Sequence, residues 1–217
     1  IAAADFDHNG LLDLFVTNYY NESNALYLAL SPGLFDDASQ RAGLRTPSLP
    51  MLGFGTQALD VNSDGHADLV VANGDLDDFT HEGRQFRMRP QLFLNQPRAQ
   101  FPEWRSASTD DYFAADSTHR GRGLATVDWN RDGRPDFVVS HLDEPSALVT
   151  NAGADTGGFV ALRLIGTQSS RDAIGTRIRL VSASDSTFAR TAWGTGGCGL
   201  QSSNEPVVHL GVGDQPG

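Results

Sequence analysis

The sequence predicts an all-β protein, a partial β-propeller of about three blades with a small C-terminal antiparallel β module. An acidic ten-residue pattern occurs three times, and a short run of β-branched and aromatic residues follows each copy. Residues 157–217 lack the pattern and alternate polar with apolar residues. Three blades are too few to close a ring of about four to eight. We therefore expect the chain to be a segment of a longer protein.

The acidic pattern predicts three Ca²⁺ sites. Its copies are called cation loops 1, 2 and 3, residues 5–13, 60–68 and 128–136. Oxygen-bearing side chains occupy positions 1, 3, 5 and 9, a flexible glycine occupies position 6, and the carbonyl of position 7 is a natural extra ligand for this hard cation. The predicted ligands are Asp5, Asp7, Asn9, Leu11 and Asp13, then Asp60, Asn62, Asp64, His66 and Asp68, then Asp128, Asn130, Asp132, Arg134 and Asp136.

The loops are not EF-hands. An EF-hand loop closes with a glutamate at position 12 and lies between helices, whereas position 12 is here Val16, Val71 or Val139. The surrounding residues are typical of buried strands. The simpler alternative, a solvated Asp/Asn/Gly turn that binds nothing, accounts poorly for three copies with the same constrained positions.

Each repeat is predicted to be a β-meander of strand, cation loop, strand, outer loop and strand. Glycine-spaced strands precede two loops, at residues 53–59 and 121–127, and further strands follow at 25–28, 91–95 and 147–151. The blades are four-stranded if residues 99–104 and their equivalents form the outermost strand. Residues 1–156 are therefore predicted to be propeller blades. Residues 157–217 are predicted to be a separate β module, with strands near 159–164, 177–181 and 207–210.

Composition excludes several function classes. The net charge is −11, and all but four acidic residues precede residue 157. This acidity argues against a nucleic-acid partner. All sixteen basic residues are arginine, which excludes lysine-based Schiff-base chemistry. A single cysteine, Cys198, excludes an internal disulfide, and no apolar run is long enough to span a membrane.

On these motifs the chain resembles the FG-GAP/VCBS repeats of integrin-α-type β-propellers. Residues 162–179, with Arg171-Asp-Ala-Ile-Gly175, and residues 208–213 resemble the ASPIC/UnbV domain that follows such repeats in cartilage-acidic-protein-like proteins. The resemblance implies Ca²⁺-binding loops and an extracellular or exported protein that serves ligand binding or adhesion. The chain ends before that domain's usual last strand, so we expect the module to be truncated at its C-terminus.

Other candidate sites are weaker. Residues 194–199 fit a GxGxxG pattern. Dinucleotide binding requires a helix after the glycines, and none is predicted there. His8 and His66 are predicted to point outward from their loops. His81, His119, His141 and His209 show no metal-binding spacing, which favours solvated or structural roles.

The outer loops, residues 18–22, 73–78 and 141–144, should cluster on one face that could take a protein or carbohydrate ligand. Solvated variable loops are the simpler interpretation. A propeller-type polysaccharide-degrading hydrolase or lyase, or its carbohydrate-binding part, is the alternative function. Because the cation loops already use most of the paired acids, we expect no catalytic residues and no enzyme activity.

Overall fold

The computed structural model describes residues 1–104, 111–153, 157–183, 185, 188–196 and 199–213. In this part of the chain nearly all regular structure is β, which confirms the predicted fold class. The exceptions are one helical turn, α1 (Arg45–Ser48), and a 3₁₀ turn at Thr80–Glu82. Of the residues singled out from the sequence, Cys198 lies outside the described residues.

The first blade is a four-stranded antiparallel sheet whose strands follow one another in chain order. Asp13, the last residue of cation loop 1, is also the first residue of the second strand, as predicted. The strands are β1 (Ala2–Ala4), β2 (Asp13–Val16), β3 (Ala25–Ser31) and β4 (Leu34–Asp37).

The second blade repeats this arrangement and includes the predicted fourth strand. Asp68 opens its second strand, and Leu92 pairs with Trp104 in the outermost pair. The strands are β5 (Gly53–Leu59), β6 (Asp68–Asn73), β7 (Gln91–Phe93) and β8 (Glu103–Trp104).

The third blade has three antiparallel strands within the described residues, β9 (Gly121–Val127), β10 (Asp136–His141) and β11 (Ala147–Val149). Among the described residues, the four-stranded prediction therefore holds for the first two blades, and the third blade shows three strands. In all three blades the cation loop connects the first strand to the second, which places the three loops at equivalent positions.

The core lies between neighbouring blades. Strand β6 is buried along its whole length because it has a blade on each side. Leu69 and Val71 pack in the cluster shared with the first blade, whereas Val70 and Ala72 pack in the cluster shared with the third. This explains why the strand after cation loop 2 is continuously apolar rather than alternating.

Residues 157–213 form two two-stranded antiparallel sheets, which we call the tail. Strands β12 and β15 form one sheet, and β13 and β14 form the other. Three of these strands were predicted, but β14 was not. The division after residue 156 remains a prediction, since residues 154–156 are not described. The tail strands are β12 (Gly158–Leu162), β13 (Arg177–Val181), β14 (Ala189–Trp193) and β15 (Val208–Gly213).

Candidate metal sites

The three cation loops share one backbone shape. Position 6 is a glycine with φ near +85° in every copy, a conformation that costs little only without a Cβ. Position 4 also has a positive φ in every copy, although none of these residues is glycine. The residues are His8 (63°) and Gly10 (82°), Ser63 (56°) and Gly65 (87°), and Arg131 (59°) and Gly133 (85°).

The carboxylate at position 1 organises the turn. Asp5 Oδ2 accepts the backbone N–H of Gly10 at 2.9 Å, and Asp60 and Asp128 accept from the equivalent glycines at 2.8 and 2.9 Å. These bonds bend the loop around the carboxylate. The glycine is therefore required by the turn itself, whether or not an ion is bound.

The aspartate at position 9 joins three segments of its blade. Asp13 Oδ2 accepts the N–H of Phe6 at 2.8 Å, and its Oδ1 accepts the N–H of Ala29 at 2.7 Å. Asp68 and Asp136 make the equivalent pairs of bonds, to Val61 and Asn95 and to Trp129 and Asn151. All three aspartates are fully buried. Position 9 is therefore a structural acceptor as well as a predicted ligand.

The side-chain oxygen at position 5 accepts the N–H of position 7. The distances are 2.8 Å for Asn9 to Leu11, 2.8 Å for Asp64 to His66 and 2.9 Å for Asp132 to Arg134. This bond is an Asx turn, which closes the loop locally. Ligation by the carbonyls of position 7 remains a prediction.

Cation loop 1 brings its acids together. One carboxylate oxygen from each of Asp5, Asp7 and Asp13 lies within 4.8 Å of the other two. The Oδ1 of Asp5 is buried and has no hydrogen-bond partner among the described residues. Burial raises the pKa of Asp5, and it raises the pKa of Asp13 to about 6. A buried oxygen without a donor, beside two further carboxylates, fits a hard cation such as Ca²⁺.

Cation loop 2 has a positive neighbour from the tail. Burial raises the pKa of Asp60 to about 7. The Arg190 guanidinium lies against Gly65, and its buried Nε has no hydrogen-bond partner in the described part of the chain. Burial lowers the pKa of Arg190, against the opposing effect of Asp60 and Asp64. This guanidinium therefore partly offsets the charge of the loop.

Cation loop 3 neutralises part of its own charge. Arg134, at position 7, forms an ion pair with Asp132, whose Oδ2 also accepts from Asn130 Nδ2 at 2.8 Å. The backbone N–H of Arg134 helps to lower the pKa of Asp132. An ion at this site would have to compete with the arginine.

The histidines of the first two loops are not turned away from the protein, so that prediction is wrong. The rings of His8 and His66 stack with their centroids 4.4 Å apart and join adjacent blades. Burial and the charge of Arg190 lower the pKa of His8 to about 4. Both rings are therefore packing groups between the loops.

The tail contacts all three cation loops. Arg177 donates to the carbonyl of Gly10 at 2.8 Å, and the ring of Phe159 lies on Gly133. Glu205 accepts the N–H of Asp128 at 3.1 Å and forms an ion pair with Arg131. A cavity of about 440 Å³ between the blades and the tail is lined by Asp5, His8, Asp60, Arg190 and Trp193, among others.

Two further candidates have clear outcomes. The described residues at and after the end of the GxGxxG stretch, 199–213, contain no helix; positions 197 and 198 are not described. His119 and His141, far apart in sequence, meet beside Glu144. Sequence analysis missed this cluster, for which the only local signal was the three-residue spacing of His141 and Glu144.

The fold and the loops define a class of all-β repeat proteins built from propeller-like meanders. A family model for the FG-GAP-like repeat matches residues 5–71 and 60–139, and a model for ASPIC and UnbV matches residues 166–217. The chain belongs to the FG-GAP-like repeat family and carries an ASPIC/UnbV domain after its repeats. No curated protein matches it. No helix among the described residues is long and apolar enough to cross a membrane.

Proposed function

We propose that the chain is a Ca²⁺-binding, non-catalytic module of an extracellular or exported protein, acting in ligand binding or adhesion. The observation that carries the calcium part is cation loop 1. Its three carboxylates converge within 4.8 Å, and the buried Oδ1 of Asp5 has no donor in the described chain. A bound Ca²⁺ would supply the positive charge that these oxygens lack.

The structure supports a ranking of the three sites. Loop 1 has the converging carboxylates, and Arg177 of the tail donates there to a backbone carbonyl. Arg190 also acts on Asp5, but less than it does on Asp60 and Asp64 of loop 2. Loop 2 has Arg190 beside it, and in loop 3 Arg134 pairs with the predicted ligand Asp132. Since a competing cation weakens binding, we expect loop 1 to bind Ca²⁺ most tightly.

The proposed role of the residues is structural. The position 9 aspartates already connect the start of the second strand to the far end of the third strand. For example, Asp68 accepts the backbone N–H of Asn95. Positions 1, 3 and 5 add charge to the same turn, and that charge is unfavourable when buried without a cation. Ligation would relieve this cost and hold each hairpin in register.

Exposed apolar groups on the outer loops support a ligand-binding or adhesive role. Tyr19, Leu76 and Leu142 lie on the three outer loops and are 46%, 49% and 55% exposed. Arg84 joins the first two of these loops because it stacks on Tyr20 and pairs with Asp75. The proposed partner is a protein or carbohydrate that contacts this face. An extracellular location follows the usual occurrence of FG-GAP-like repeats.

Thermal melting with Ca²⁺ and with EDTA tests the calcium proposal. At a hundredfold excess over Kd, each site that binds only the folded state stabilises it by about 2.7 kcal/mol. We expect a higher melting temperature in Ca²⁺, and a smaller difference in Asp7→Asn and Asp64→Ala. Asp36→Asn is the matched control, because Asp36 is 46% exposed and pairs only with Arg41 among the described contacts. Equal melting temperatures in Ca²⁺ and EDTA would refute the proposal.

A glycan panel tests the non-catalytic part. The chain is incubated with polysaccharides in Ca²⁺, and both retention of the glycan and new reducing ends are measured. Retention without new reducing ends supports a binding module. Release of sugars supports the polysaccharide-degrading alternative and contradicts our proposal.

A further inference from the structure

A second cluster of metal-ligating side chains lies at the opposite end of the third blade from its cation loop. His119, His141 and Glu144 each offer one ligand atom, and these atoms all lie within 4.8 Å of one another. Unlike the cation loops, this cluster presents two imidazoles and a single carboxylate. Imidazole nitrogen suits transition metals such as zinc, whereas Ca²⁺ prefers oxygen.

The backbone explains why distant residues meet there. His141 ends β10 and pairs with Gly121, the first residue of β9. His119 lies two residues before Gly121 and forms a bridge with Met88 of the second blade. Glu144 lies three residues after His141, in the outer loop. The antiparallel register therefore fixes both histidines at one end of the same strand pair.

Both nitrogens of each ring have hydrogen-bond partners, and the carboxylate is the Nδ1 partner of His119 only, since His141 Nδ1 faces Pro145 O. His119 Nε2 lies 2.8 Å from Ser117 Oγ, and His141 Nε2 lies 3.0 Å from Tyr112 Oη. The Nδ1 atoms lie 2.8 Å and 4.0 Å from Glu144 Oε1. Metal-binding histidines commonly hydrogen-bond through the second nitrogen in this way, which fixes the ring and its tautomer.

These two distances lie on either side of the separation between ligand atoms that a metal ion requires. Zinc bonds to nitrogen and oxygen of about 2.0–2.1 Å in a tetrahedral arrangement place neighbouring ligand atoms roughly 3.3 Å apart. The separations of 2.8 Å and 4.0 Å lie on either side of that value. The two rings stack with their planes 22° apart, so one imidazole must turn out of the stack for both nitrogens to reach one ion. Both Nδ1 atoms carry a proton, because His119 Nδ1 faces the Glu144 carboxylate and His141 Nδ1 faces Pro145 O at 2.8 Å. On binding, each proton would move to Nε2 of the same ring, where the Ser117 and Tyr112 hydroxyls can accept them.

The surroundings keep the three side chains close together. The rings of Tyr112 and His119 stack at 4.7 Å, and those of His119 and His141 at 4.9 Å. Arg87 binds Glu144 Oε2 at 2.6 Å and Asp143 at 2.8 Å, which leaves Oε1 facing the histidines.

We propose that His119, His141 and Glu144 bind one Zn²⁺ ion through two imidazole nitrogens and one carboxylate oxygen. Three protein ligands leave the fourth position of a tetrahedral ion to water or to a ligand on the outer-loop face. The side chain of His141 is 2% exposed, whereas those of His119 and Glu144 are 20% and 27% exposed. The site is therefore reached from the side of His119 and Glu144.

Zn²⁺ titration of the whole chain, in excess Ca²⁺ to block the cation loops, tests the proposal. We expect one Zn²⁺ per chain against a competing indicator, and a visible Co²⁺ spectrum typical of nitrogen and oxygen ligands. His119→Phe keeps an aromatic ring beside Tyr112 but removes the nitrogens, and Glu144→Gln removes the charge; each should weaken Zn²⁺ binding by tenfold or more. The matched control is His81→Phe, since His81 lies outside the cluster with its side chain 71% exposed.

A positioning variant separates ligation from general stability. Ser117→Ala leaves all three ligands in place but removes the hydroxyl beside His119 Nε2, and should weaken Zn²⁺ binding by about 10- to 100-fold. Circular dichroism checks folding, and Ser117→Ala and Glu144→Gln decide the matter if His119→Phe does not fold. Absence of Zn²⁺ binding by the unmodified chain, or unchanged affinity in the folded variants, would overturn the proposal.

Discussion

Cation loops 1 and 3 have the same sequence pattern and the same backbone shape, yet their surroundings differ. In loop 1 the three carboxylates converge, and the buried Oδ1 of Asp5 has no donor in the described chain. In loop 3 Asp132 is paired with Arg134, and Arg131 is paired with Glu205 from the tail. The motif therefore determines the shape of the turn and the ligands it offers. The residues at the unconstrained positions determine how much charge remains for an ion.

The largest loss of stability should come from replacing the position 9 aspartate, which both loops have. Asp13→Ala and Asp136→Ala each leave two backbone N–H groups without their acceptor. Each unsatisfied buried group costs about 1–3 kcal/mol. We expect Asp13→Ala to lose about 2–6 kcal/mol of unfolding free energy in urea, even in EDTA. Asp136→Ala should lose less, because the two N–H groups that it leaves are only partly buried. Asp36→Ala should lose less than about 1 kcal/mol. A loss seen only in Ca²⁺ would show that position 9 acts as a ligand alone.

The next largest effect should be the pH dependence of the metal-free protein, because burial raises the pKa of the position 9 aspartates Asp13 and Asp136 in both loops. The folded-state pKa of Asp13 is about 6, against an ordinary value of 3.8. The folded state thus binds this proton more tightly than the unfolded state does. The resulting stabilisation is complete below pH 4 and is lost as the pH rises through 6.

Urea unfolding in EDTA between pH 4.5 and 7 measures this loss. Asp13→Asn should flatten the curve more than Asp132→Asn, because the pKa of Asp132 is lowered rather than raised. Asp60, with a pKa of about 7, should leave a remaining slope. Stability that rises with pH in EDTA would contradict the burial of these acids.

Removing the competing arginine should make loop 3 more like loop 1. Arg134→Gln keeps the backbone carbonyl of position 7 but removes the ion pair with Asp132. Because solvent screens this partly exposed pair, Ca²⁺ affinity at loop 3 should rise by no more than about fivefold. Calorimetric titration measures this, with Arg41→Gln as control. An unchanged affinity would mean that the pair does not limit binding.

The smallest effect should come from the tail contact at loop 3. Glu205→Gln removes the charge pair with Arg131 but keeps an oxygen for the N–H of Asp128. Since the Arg131 side chain is 70% exposed, we expect a small loss of unfolding free energy that disappears at high salt. A larger loss, independent of salt, would show that the tail depends on this contact.

The parts of the fold that could be predicted are those specified by local pattern. The strands that open with Asp13, Asp68 and Asp136 follow a repeated motif and a run of apolar residues. Strand β14 was missed because Ala189–Trp193 contains an arginine and a threonine and is only partly buried throughout. Its position is set by pairing with β13, which a single-strand pattern does not reveal.

In the candidate sites, too, only the features specified by local sequence pattern could be predicted. The turn geometry of the cation loops followed from residue types at fixed spacing. The approach of Arg190 to Gly65 and the meeting of His119 with His141 did not, because each depends on contacts between segments far apart in the chain. The stacking of His8 on His66 is likewise an inter-blade contact, so the side chains could not be oriented from the loop sequence alone.

The double-sided burial of β6 limits how such a chain can be shortened or recombined. Its two faces belong to different apolar clusters, one with Phe15 and Phe93 and the other with Leu124 and Val139. A cut on either side of the middle blade would expose one of these clusters to water. Pieces intended for separate expression should therefore keep adjoining repeats together, and transplanted repeats need a new neighbour whose side chains complement the exposed face.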